Sequence, residues 1–395
     1  MPVPLTGGAA SPAPSPAPPP PLPSRAASPA PAPAALLTPG AAPVRAHSWV
    51  RALVVSALIL LAGAVLGAAG FVFEQSRATW RPQVAPTNNG WRISTSHGLQ
   101  LGGSTLGGDH LAWEAGPFTL LTDLRSGDSK LLGAAATAGS ASAPSMSERF
   151  VVWLEAPASG YQDAVVWVYE ISRGRRTRLS GVQGISQSPA VSGTTAVWEA
   201  DGAGADAPRI NGADLVTGRR FSLGESGGAG EPIISGALVA WASRRPDPAA
   251  PPVITVVDLT DGRRWSIAPY ADGREGSLLG IALAGRTLVW ARATSAAQAD
   301  QILAYDLDTV AVRVIAQAAD LVPPAADGDL VIWAQPSAEG GTQVTGLRLG
   351  GGETFPIAGV PGGSVRSVLV SGKTVAWHVA GALLFDTYLQ TARLP

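Results

Sequence analysis

The stretch Thr194–Gly202, "TTAVWEADG", runs from apolar residues into a tryptophan and then a polar turn. The same phrase returns as "RFVVWLEAP" (Arg149–Pro157), "GALVAWASR" (Gly236–Arg244), "RTLVWARAT" (Arg286–Thr294), "GDLVIWAQP" (Gly328–Pro336) and "KTVAWHVAG" (Lys373–Gly381). An early copy is "DHLAWEAG", Asp109–Gly116. The tryptophans are Trp113, Trp153, Trp198, Trp241, Trp290, Trp333 and Trp377, spaced 40 to 49 residues apart. A period of that size with only strand signals inside it predicts propeller blades.

Each unit has one internal grammar. A first strand ends in a small turn, "AVSG", "IISG", "ALAG" or "VLVSG", where Gly193, Gly236, Gly285 and Gly372 supply hairpin freedom. The second strand carries the tryptophan. A variable loop follows, and a third strand ends in Asp-Leu, as in "TDLRSG", "ADLVTG", "VDLTDG" and the relaxed "YDLDTV". The aspartates in that place are Asp123, Asp214, Asp258, Asp306 and Asp386, with Glu170 and Arg348 in the two irregular units. Such a carboxylate accepts backbone hydrogen bonds from the turn after it.

The second strands are apolar at consecutive positions, as in Leu288-Val289-Trp290. A two-sided sheet would alternate. A blade covered by neighbours on both faces loses the alternation, and tryptophan then serves as a plate between blades. Seven units predict seven blades. If "LQLGGSTLGG" fails as the first strand of the first unit, six remain. "GWRIST", Gly90–Thr95, is placed to lend an outer strand to the last blade and close the ring.

This grammar, over roughly residues 100–395, resembles the TolB-like, WD-repeat-related group of β-propellers. The resemblance implies a propeller with a binding role. Where that group carries a Ser-Pro-Asp-Gly turn, this chain has Ser-Gly, Ala-Gly or Asp-Gly.

Three segments precede the repeats. Residues 1–47 are almost wholly Pro, Ala, Ser and Gly, too poor in apolar surface to offset their ordering entropy, and read as a disordered tail. Ala52–Phe73 holds 22 residues without a charge, long enough as a helix to span a bilayer core of about 30 Å. It is too long, and starts too late, for an ordinary cleaved signal peptide; residues 48–73 read as a signal anchor. Arg51 abuts the apolar run and the folded mass lies downstream, which favours a cytoplasmic N-terminus at the plasma membrane and a propeller outside it. Residues 74–90 form a stalk and 91–395 the propeller.

Composition excludes several chemistries. The 395 residues include no cysteine, so thiol nucleophiles, disulfides and cysteine zinc sites are absent. A net charge of −1 argues against nucleic-acid binding. No G-x-S-x-G elbow, P-loop, dinucleotide fingerprint or sialidase-type repeat occurs. His47, His97, His110 and His378 are the only histidines; closure of the ring could bring His97 and His110 towards His378 as a metal site. "EADGAGADAP", Glu199–Pro208, is acidic but matches no calcium loop. The arginine pairs 175–176, 219–220 and 263–264 suggest a basic rim for anionic lipid or an acidic polymer. The expected first strands, "PAVSG", "PIISG" and "IALAG", are nearly free of ionisable groups, which weighs against catalysis. The resulting expectation is a non-enzymatic sensor or scaffold without cofactor. Its partner would be a protein or envelope polymer, met by the loops between second and third strands. A propeller hydrolase or lyase, or a purely structural envelope protein, is the alternative.

Overall fold

A computed structural model describes residues 82–94, 101–134, 141–156, 164–180, 186–200, 207–227, 231–243, 252–270, 276–294, 299–380 and 387–395. The tail and the apolar segment 52–73 lie outside these residues, and so do His47, His97 and Asp386. Among the described residues no helix is long and apolar enough to cross a membrane.

The described chain is all β, arranged as seven antiparallel sheets. Six have four strands and one has five. The innermost strands are Leu101–Gly107, Ala141–Met146, Ser186–Ser192, Ile233–Ser235, Gly276–Ala284, Val322–Asp327 and Ser364–Ser371. Each touches the next, and the last touches the first, so the blades form a closed ring. "LQLGGSTLGG" supplies the first blade's inner strand, which settles the count at seven.

Closure uses the segment expected for it. Gly90–Ser94 pairs with Thr387–Arg393 through Arg92 with Gln390, Ile93 with Leu389 and Ser94 with Tyr388. Gln83–Thr87 then adds a fifth strand to the seventh blade. The last blade is therefore built from both ends of the ring, so it cannot open without breaking sheet hydrogen bonds.

The buried side chains fall into seven clusters, and each fills the space between two adjacent blades. All seven repeat tryptophans lie in these clusters, each packed against the preceding blade: Trp113 against Ala376 and Leu389, for example, and Trp198 against Val152 and Leu154. None is more than 4% exposed. Both faces of a second strand are covered, which explains its unbroken apolar run.

Two boundaries differ from the sequence reading. In the sixth blade the loop between second and third strands, read as Ala334–Gln343, shortens to Ser337–Gly341: Leu330–Pro336 and Thr342–Arg348 are joined by a tight turn in which Ser337 N–H donates to Gly341 O. In the fifth blade the strand reaches Thr294 and resumes at Asp300. Polar residues such as Gln335, Thr342 and Gln343 extend the ladder past the apolar core, so polarity did not mark the strand ends.

Candidate functional site

The turn ends of all seven innermost strands converge on one cavity of about 660 Å³. Its lining includes the hydroxyls of Thr105, Ser145, Ser147, Ser192, Ser235 and Ser371, set among apolar side chains such as Ile234 and Leu283.

At four of the hairpin turns a residue opening the turn bonds to the next blade. Ser192 Oγ accepts from Gly236 N–H of the next blade at 2.9 Å. Ser371 Oγ accepts from Gly108 N–H at 3.2 Å, and Asp327 Oδ2 from Gly372 N–H at 2.6 Å. In the second blade Ser147 Oγ instead donates to Gly193 O at 3.0 Å. The turn glycines adopt φ near +55°, as at Gly193 and Gly372, which leaves their N–H groups free to reach back to the preceding blade. At Gly107 no side chain fits: a Cβ there would lie 2.7 Å from the Ser147 carbonyl oxygen of the next blade. The sequence showed the turn glycines but not this second use of the position before them. The recurrence of Ser or Asp at that position was the available signal.

Further along the channel, six of the seven innermost strands bulge, for example between Ser142 and Ser145, Gln187 and Ala190, and Val322 and Ala325. Pro144, Pro189, Pro323 and Pro324 fall in these bulges, where the missing N–H costs no ladder bond. Only Asp327 and Arg366 are ionisable on the seven strands. Asp327 sits at the turn end and Arg366 in the bulge between Val365 and Ser367, towards the opposite end.

One layer behind the channel, the second strands carry Glu114 and His378 among their titratable groups. Glu114 follows Trp113 and so faces the second blade. It is buried, and burial pushes its carboxyl up to about 7 despite a hydrogen bond from Gly103 N–H to Oε2. Among the described residues its Oε1 and the Oγ1 of its cross-strand partner Thr119 have no partner. His378 occupies the same strand position in the seventh blade and faces the first. Burial, then the nearby Arg366 cation, hold its imidazole below the usual histidine range, and among the described residues Nε2 has no partner. The first blade therefore stands between Glu114 and His378. His110 starts the second strand of the first blade, four residues before the height of His378, or about 13 Å along a strand. Among the described residues no three His, Cys, Asp or Glu side chains gather where a metal ion could be held.

The repeat aspartates hold turns. Asp214 Oδ1 accepts from Val216 and Thr217 N–H, Asp306 Oδ1 from Asp308 and Thr309 N–H, Asp258 Oδ1 from Thr260, and Asp123 Oδ1 from Arg125 N–H. These bonds keep Asp214, Asp258 and Asp306 below the ordinary carboxylate range; the largest cause is Thr217 N–H, the Thr260 hydroxyl and Thr309 N–H respectively. Glu170 is held low chiefly by Arg149 and is also bonded by Arg173. Trp113, Trp153 and Trp333 donate their ring N–H to Thr122, Glu155 and Gln335, each at 2.9 Å.

The arginine pairs divide their labour. Arg176, Arg220 and Arg264 reach back to the carbonyls of Leu132, Leu179 and Leu223 in the preceding blade. The second arginine of each pair is thus an inter-blade clamp, which removes it from a free basic rim. Arg175, Arg219 and Arg263 remain exposed at the turns.

No family model matches the sequence, and no curated protein matches it. Solved structures do. The β-propeller domain of the Trilobed protease from Pyrococcus furiosus, described as having an open velcro topology, aligns with TM-score 0.54 and 10% identity over 74% of this chain and 95% of that one. The chain is a β-propeller. An oligogalacturonate lyase in complex with manganese aligns at TM-score 0.53 and 12% identity over 80% and 96%. TolB from Acinetobacter baumannii gives 0.43 and 12% over 71% and 80%. At these identities the likeness is one of fold: the propeller expected from the repeat is the architecture shared with the first two structures.

Proposed function

We propose that this propeller is a non-catalytic binding module, a sensor or scaffold, held outside the plasma membrane by the apolar segment Ala52–Phe73. The observation that carries the reading is the channel wall. The ionisable groups lining the cavity are Asp327, Glu148 and Arg149; Asp327 is already bonded to Gly372 N–H and Arg149 to Glu170. Acid–base chemistry needs titratable groups converging within reach of one substrate atom. Glu114 and His378, two buried groups on the second strands, face different inter-blade spaces. The partner in this reading is a protein or an envelope polymer, and nucleic acid is not among its ligands.

Two experiments test it. The chain has no cysteine, so single cysteines at Ser28→Cys and Lys373→Cys can be labelled in intact cells with a membrane-impermeant maleimide. Labelling at position 373 and protection at 28 support the proposed topology; the reverse pattern, or labelling of neither or both, overturns it. Purified full chain is also offered cell-envelope fractions. Saturable capture that survives Glu114→Gln and His378→Gln supports a binding module. Substrate turnover abolished by either substitution would replace it with the enzyme alternative.

A further inference from the structure

The outermost strand of a blade leaves one row of backbone N–H and C=O groups unpaired, a template for another strand. Cations and prolines stand on these edges. Lys130 sits in the first blade's edge strand, and the second blade's edge reads Arg175-Arg176-Thr177-Arg178. Arg220 opens the edge of the third blade and Arg264 that of the fourth. Pro356 interrupts the sixth, and Pro86 the added fifth strand of the seventh. Charge and proline are the usual devices against strand addition.

The fifth blade differs in its side chains. Its edge strand, Val312–Ala318, has no proline, and its one cation, Arg313, bonds the Leu349 carbonyl of the sixth blade, as Lys130, Arg220 and Arg264 bond neighbouring blades from theirs; what sets this strand apart is a pair of exposed valines. Asp308–Val314 is exposed without a break. Val310, Val312 and Val314 are each more than half exposed, at 59, 54 and 51%. Val310 also has φ +61° at the position where Gly127, Gly218 and Gly262 close the equivalent turns. A β-branched residue is strained there, so an ordinary turn would favour glycine.

We infer that the outer edge of the fifth blade is a docking site for an extended, apolar segment of a partner polypeptide. It would add as a fifth strand, with alternate side chains packing on Val312 and Val314. The molecule already shows that a blade accepts a fifth strand: Gln83–Thr87 does so on the seventh. The size of the patch selects the occupant. Three half-exposed valines offer a few hundred square ångströms at most, whereas a stable interface between two copies needs roughly 1,000 Å² or more. A single strand, gaining affinity from main-chain hydrogen bonds and specificity from alternate side chains, fits the smaller area. This inference does not depend on membrane attachment or on the absence of catalysis.

The test uses full chain and a fluorescein-labelled peptide, Lys-Thr-Val-Thr-Val-Thr-Glu, read by anisotropy and by amide hydrogen exchange. Saturable binding is expected, with new protection confined to Val312–Ala318. Val312→Lys or Val314→Lys should weaken it at least tenfold with Tm unchanged, because both side chains are exposed. A peptide N-methylated at alternate residues should lose binding, which distinguishes strand pairing from apolar contact. No binding, equal binding by Val312→Lys, undiminished binding of the N-methylated peptide, or protection at another blade would overturn the inference. A dimer in sedimentation that dissolves on Val312→Lys would assign the edge to a second copy and overturn the peptide partner.

Discussion

The channel end of the ring and its outer rim are built to different rules. At the channel end every blade touches the next, and the residue before the turn is confined to Gly, Ala, Ser or Asp. A bigger group would strike the neighbouring turn, and a hydroxyl or carboxylate can bond to it. At the rim the blades diverge, the fourth strands vary from four to seven residues, and their edges carry different side chains. The lesson is that the repeat records contact between blades. Where contact is lost the sequence is released from the repeat, and individual function can appear.

Several changes would sharpen or break that contrast. The largest expected effect is in the shared inter-blade space: Trp290→Ala removes a buried plate between the fourth and fifth blades and should cost about 3–5 kcal/mol in urea unfolding. A loss below about 1 kcal/mol would mean that the plates do not hold the ring together.

Next comes Glu114, a buried carboxyl in the same kind of space. Its carboxyl is pushed up to about 7 in the folded state, from an ordinary value of 4.5. The folded state therefore holds the proton more tightly, and stability falls as pH rises from about 4.5 through about 7. Glu114→Gln should flatten that slope and raise stability at pH 8 by up to about 3 kcal/mol, an upper bound set by the pKa difference. Parallel pH–stability curves for the two proteins would contradict the buried, partner-poor carboxyl.

Gly107→Ala places a methyl against the Ser147 carbonyl and should destabilise by about 1–3 kcal/mol. Ser192→Ala, which deletes one bond of the same circle, should cost no more than about 1 kcal/mol. If the two rank the other way, bonding rather than close approach governs the position.

The smallest effect belongs to the rim. Val310→Gly relieves a left-handed valine and should stabilise by about 1 kcal/mol or less, since glycine adds unfolded-state entropy. A destabilised variant would show that Val310 packs on something its exposure conceals.

Much of the ring was legible because the tryptophan phrase and the turn glycines recur in the blades that must contact one another. Closure could be read in part: Gly90–Ser94 has strand character, whereas Gln83–Thr87, read within the stalk, pairs with it as the outermost strand of the seventh blade. The cross-blade roles were not legible. Ser192 reads as a turn residue and Arg220 as a solvated one, because each bonds to a residue 40 or more positions away in the chain. Glu114 follows Trp113 as Glu199 follows Trp198, yet among the described residues Glu199 has the Ser226 hydroxyl as a partner while Glu114 Oε1 has none. No local pattern separates them. The fifth blade's edge escaped notice because "YDLDTV" reads as a degraded copy of the turn, when its backbone keeps the turn and only the side chain departs.

The most direct test of the closed seven-blade ring is a disulfide trap in this cysteine-free chain. Ser94→Cys with Tyr388→Cys joins two facing residues of the closing pair. A cross-link that forms on mild oxidation and raises Tm is the predicted result. Failure to form it, with Ser94→Cys instead cross-linking to Leu131→Cys on the first blade's outer strand, would show that the N-terminal strand does not close the ring.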